Sequence, residues 1–199
     1  MSLETARKLL RLVSPSRLTP RSPKITTWPV SSCTQPECPG LDSHMGTLFM
    51  RPDLLDIYVR LGLDYNLQIL VPRDTGFLRQ LNVEGAVISQ VDNSIATLQQ
   101  QDLPLVDRVQ MHYQRDSFSR KKQTYLNMIR TVPTGVTEII VHCGIADAEL
   151  RSITNYSTGI RDGDRRVFTD PSVISEIKQS DLNLLTWKQF HHMATVPAE

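Results

Sequence analysis

The chain has little cysteine. Cys33, Cys38 and Cys143 are an odd three in 199 residues, and none stands in the Cys-x₂-Cys spacing of a zinc site. That excludes a disulfide framework as the organising device and points to a reducing, cytoplasmic setting, although a Cys33–Cys38 bridge stays open. Net charge is almost absent: 22 Lys and Arg against 21 Asp and Glu leave +1. This argues against nucleic acid or an anionic membrane as an obligatory partner. No apolar run reaches the roughly 20 residues needed to cross a bilayer. What remains, 40% hydrophobic and 22% charged residues, is the composition of a soluble globular domain with one sizeable core.

Residues 1–40 differ from the rest. Within the first 24 residues Arg7, Lys8, Arg11, Arg17, Arg21 and Lys24 face a single acid, Glu4, and six of the twelve prolines lie between Pro15 and Pro39. Leu3, Ala6, Leu10 and Val13 have helical spacing, so a short amphipathic helix is expected to open the chain. Beyond Ser14 the proline and serine density forbids regular structure. The Arg- and Ser-rich composition is also that of an organelle transit peptide. The reading adopted is a disordered segment that packs little against the fold.

From residue 41 strand and helix patterns alternate. Pro52 suits a first helical turn, and Leu54, Leu55, Tyr58, Val59 and Leu61 mark an apolar stripe ending near Gly62. Residues 67–71 form a buried-strand run stopped by Pro72. Val87, Val91, Ile95 and Leu98 predict a helix within 83–101, and 105–109 a short strand after Pro104. Residues 117–132 predict a helix with Phe118, Tyr125, Met128 and Ile129 inward. Arg120, Lys121 and Lys122 are read as its solvated face. Ile139-Ile140-Val141 is a fully buried strand of the parallel-sheet kind. A long polar loop follows from 145 to 168. A helix starts at Pro171 under a Thr169 or Asp170 cap, with Val173, Ile174 and Ile177 inward. Residues 182–187 form a last strand, and 191–199 a tail carrying His191 and His192.

Two stretches carry chemistry. In Leu41-Asp42-Ser43-His44-Met45-Gly46, Asp42 and His44 are two apart and would share one face of an extended strand. A carboxylate and an imidazole at a strand's carboxyl end make half a metal or acid–base site; the alternative is a helix cap beside a surface histidine. The second is Glu138-Ile139-Ile140-Val141-His142-Cys143-Gly144. His142 follows a buried strand, where α/β folds put their chemistry, or else is a core histidine bonded to backbone.

These motifs, followed in order by Asp147-Ala148-Glu149-Leu150-Arg151, Thr169-Asp170-Pro171 and Leu184-Leu185-Thr186-Trp187, resemble the C-terminal part of the YdjC-like carbohydrate deacetylases, the ChbG/HpnK family. The resemblance covers residues 41–190. It implies a TIM-barrel-like α/β fold and hydrolysis of N-acetyl groups on amino sugars with a divalent metal, Mg or Zn. It further implies His44 as a metal ligand, Asp42 beside it in the catalytic site, and His142 as proton donor or substrate contact. Arg161 is a candidate for binding sugar hydroxyls. Such chemistry suits these residue types: imidazole is a good ligand, and an imidazole can protonate a departing amine.

The family opens with an Asp-Asp strand and places a further metal histidine before the Leu41 motif; this chain has no Asp-Asp pair and no histidine before His44. Cys143 replaces the proline that usually follows the late histidine. The expectation is therefore an incomplete TIM-like barrel lacking its N-terminal strands, a truncated hydrolase that need not retain its metal and releases little acetate alone. The rival expectation is a non-catalytic sugar-binding or structural remnant. Open sheet edges would favour self-association.

Overall fold

The computed structural model describes residues 10–13, 40–80, 83–101 and 103–192. In chain order the elements are β1 (Leu10–Val13), β2 (Gly40–Leu41), a 3₁₀ helix (His44–Phe49), α1 (Pro52–Asp64), β3 (Gln68–Ile69), α2 (Gly76–Gln80), α3 (Gly85–Gln100), β4 (Arg108–Met111), α4 (Phe118–Arg130), β5 (Val136–Ile140), α5 (Ala148–Ile153), α6 (Thr158–Phe168), α7 (Pro171–Gln179), β6 (Asn183–Leu184) and α8 (Trp187–His192). This mixture is α/β. It divides into two compact units, Met1–Ile25 with Gln110–Leu184, and Thr26–Val109 with Leu185–Glu199.

In the second of these, Pro52 opens α1 and Asp53 lies in its first turn, complementing the helix dipole. Leu55, Tyr58, Val59 and Gly62 face inward, the period expected from sequence. The inner face of α3 is Val87, Val91 and Leu98, with Ile95 partly buried against the same core. Full burial of such a side chain is worth about 1.5–3 kcal/mol. Under these helices β2 and β3 pair in parallel, Gly40 opposite Gln68 and Leu41 opposite Ile69. The strand expected at 105–109 is shorter and shifted. Val106 makes one parallel bridge to Pro72, and regular strand begins at Arg108.

The other unit is built on β5, buried from Val136 to Ile139. Its core joins Ile139 and Val141 to Tyr125 and Ile129 of α4, Val167 of α6 and Val173 of α7. The sheet order is β4-β5-β1-β6. β1 runs antiparallel to both β5 and β6, with Leu10 opposite Ile139 and Leu12 opposite Leu184. The sheet is therefore not purely parallel.

Several expectations are corrected. Leu10–Val13 is a strand, where an opening helix and a disordered segment were expected, because its backbone groups are taken up by β5 and β6. The remainder of residues 1–39, including Cys33 and Cys38, lies outside the described residues. The polar loop at 145–168 is two helices. Asp147 caps α5 by accepting from the Leu150 amide, and α6 buries Ile160, Asp164 and Val167. An acid on the inner face of α6 hid its period. Ile174 is exposed, whereas Val173 is buried as expected. His191 and His192 end α8, where a tail was expected. Lys121, read as solvated, is only 1% exposed.

Candidate functional site

Site residues predicted from sequence fall into both units. Asp42 and His44 belong to the unit of β2, and His142 and Arg161 to the unit of β5. At the first end, strand geometry stops at Leu41. Asp42 is exposed, and His44 opens the 3₁₀ helix, so the two do not share one extended strand. The His44 side chain lies outside the described residues. Between them Ser43 is buried, and its Oγ accepts from the Leu48 amide at 2.9 Å. The strand end itself is fixed by Tyr58, 1% exposed, whose hydroxyl donates to the Leu41 carbonyl and accepts from the Leu70 amide, both at 2.9 Å.

The end of β5 is built differently. The ladder stops at Ile140, and the His142 amide, now beyond it, donates to Asp164 Oδ2 at 2.9 Å. Asp164 Oδ1 accepts from Lys121 Nζ at 2.8 Å and from the Tyr125 hydroxyl at 3.0 Å. That hydroxyl also lies 3.3 Å from the His112 carbonyl. It has one proton, and the nearer, charged acceptor takes it. Both members of the ion pair are sealed from water, at 0% and 1% exposure. Burial pushes the Tyr125 hydroxyl far above its ordinary pKa, and the charge of Asp164 and its hydrogen bond add to this. The Lys121 stem fits because Gly163 is beside it: a methyl there would lie 2.9 Å from the lysine Cδ.

Around the half-buried His142 stand groups from two other segments. The Tyr113 ring meets the His142 ring edge-on, centroids 4.8 Å apart. Neighbouring His112, directly after β4, has Nε2 at 2.7 Å from Asp116 Oδ2. Arg161 is brought to the same end, since its carbonyl accepts from the Gly144 amide at 3.1 Å. Its Nε is buried and has no hydrogen-bond partner among the described residues. Cys143, which is in no disulfide, packs partly against the core.

Sequence reasoning missed His112, Tyr113, Asp116, Lys121, Tyr125 and Asp164 as members of this site. His112 and Tyr113 could have been found, because they follow a strand as His142 does. Lys121 and Asp164 could not, since 43 residues separate them and no local pattern marks either as buried. Among the described residues no three of His, Cys, Asp and Glu converge so as to hold an ion.

A histidine at a strand's carboxyl end, with an arginine and a second, carboxylate-bonded histidine nearby, is the layout of a polar α/β site. Residues 41–179 match the YdjC-like protein family, so the chain belongs to that family, which is of carbohydrate-deacetylase type. No curated protein matches the chain. Among the described residues no helix is long and apolar enough to cross a membrane.

Proposed function

We propose that this chain is a carbohydrate N-deacetylase-type hydrolase that takes N-acetylated amino sugars at the carboxyl end of β5. The observation that carries this is His142, inside the family match and held by its amide to a buried carboxylate. In this reading the half-buried Arg161 binds a sugar oxygen through the terminal nitrogens of its guanidinium. Water adds to the acetamide carbon and loses a proton to solvent, the C–N bond breaks, and His142 gives its proton to the departing amine and regains one from solvent. Acetate and the free amino sugar are the products. Dependence on Mg or Zn, with His44 as ligand and Asp42 beside it, rests on the resemblance alone, as does a partial TIM-like barrel.

A second reading, sugar binding without turnover, is favoured by the groups at this end. An aromatic edge, two imidazoles and a guanidinium are suited to contact a sugar whether or not it reacts. Calorimetry with an N-acetylated chito-oligosaccharide and an acetate assay, each with and without added divalent metal, separate the two. Binding with acetate release lost in His142→Ala supports the hydrolase. Binding without release supports the second reading, and absence of both overturns the two together.

A further inference from the structure

We propose that Asp164 is the positioning residue of this sugar site, aiming the His142 imidazole through the main chain while Lys121 and Tyr125 hold its charge in place. The inference rests on the sugar reading above for its function, but not for its geometry.

An ion pair removed from water gains little net stability, because desolvation of both ions offsets their attraction; an apolar pair of similar volume does as well or better. Asp164 and Lys121 are therefore poorly explained as glue between α4 and α6. The distribution of contacts explains them better. One oxygen of Asp164 takes both side-chain donors, Lys121 and Tyr125. The other accepts from the amide of His142, two residues beyond the end of β5 at Ile140. Two donors on one oxygen fix the rotation of the carboxylate, and the rotation fixes where the His142 amide sits. The side chain is then aimed by a backbone held at this amide, and Tyr113 packs against the ring from the side. His112, held by Asp116 on the adjoining segment, completes a pair of imidazoles on neighbouring strand ends.

A positioning role makes a spectroscopic demand that a packing role does not. The double variant Lys121→Met/Asp164→Leu removes both charges together and keeps the volume. Tyr125→Phe removes only one donor and guards against failure of the double variant to fold. In ¹H–¹⁵N spectra of the full chain, the His142 amide proton should resonate far downfield in the wild type, as a donor to a carboxylate. It should move upfield in the double variant, with a smaller shift in the same direction in Tyr125→Phe. The His142 ring resonances should move with it. Affinity for an N-acetylated chito-oligosaccharide should fall about tenfold or more in the double variant. Unchanged His142 amide and ring signals in a folded variant overturn the proposal, as does unchanged sugar affinity. If the spectra move but the wild type binds no sugar, the positioning geometry stands and the sugar reading falls.

Discussion

The two strand ends that carry the family motifs are each fastened by a buried tyrosine, yet the fastenings are different in kind. At β2 the Tyr58 hydroxyl bridges two backbone groups, Leu41 and Leu70, inside an apolar core, and all partners are neutral. At β5 the Tyr125 hydroxyl serves a carboxylate that is also paired to a lysine and that accepts from the His142 amide. The first closes a parallel pair and fixes its register. The second fixes one residue, His142, after the sheet has ended. A neutral clamp suffices where strands already hold each other. A charged, multiply bonded one stands just beyond the end of a strand.

The largest effect should come from unbalancing the charged clamp. Asp164→Leu alone leaves Lys121 buried without its counter-ion and should cost about 3–5 kcal/mol in urea unfolding. The double variant with Lys121→Met should recover most of that loss. Equal losses in single and double variants would mean the pair acts by shape alone.

Next is the neutral clamp. Tyr58→Phe leaves the Leu41 carbonyl and the Leu70 amide with only their own 3.3 Å bond, and should cost about 0.5–1.5 kcal/mol. Hydrogen exchange should speed at Leu70 and leave His142 untouched. Equal speeding at both would blur the contrast between the two ends.

A third test is alkaline. Tyr125 has its pKa raised by burial and by Asp164, so its contribution to stability is fully present below the ordinary value of 10.0 and is lost as pH rises beyond it, where only the unfolded chain ionises. In an ultraviolet titration Tyr125 should stay protonated until the protein unfolds. Phenolate absorbance from every tyrosine in folded protein near pH 10 would contradict its burial beside a carboxylate.

The smallest effect is acidic. Asp170 caps α7 through Ser172 and also accepts from Lys122, and these bonds lower its pKa from 3.8 to about 2. The stability it lends is present above 3.8 and fades as pH falls towards 2. Asp170→Ala should flatten that part of the acid-unfolding curve, and an unchanged curve would remove the cap from the account.

How much of this was legible in the sequence follows the same contrast. Pro52, Tyr58, Val87, Val91 and Leu98 could be placed because an apolar face repeats with the helix, and Ile139 because a buried strand is a run. Their hydroxyl chemistry could not: Tyr58 and Tyr125 read as large apolar residues, and nothing nearby shows where the hydroxyls go. The charged clamp inverted the rules used. Lys121 sits between Arg120 and Lys122 and reads as a solvated face, while Asp164 made α6 look like a loop. His142 was legible as the residue after a strand, and Arg161 as a candidate on what proved to be a helix. β1 was hidden because a short apolar run with basic neighbours reads equally as helix, and its partners β5 and β6 are far away in sequence.

The central claim is that the β5 end, fixed by Asp164, is where this chain meets an amino sugar. The most direct measurement is to titrate an N-acetylated chito-oligosaccharide into labelled protein and map the amide shifts. The account predicts that the largest changes fall on His112, Tyr113, His142, Gly144 and Arg161, and vanish in His142→Ala. Saturable changes that spare these residues and cluster elsewhere, or none at all, would contradict it.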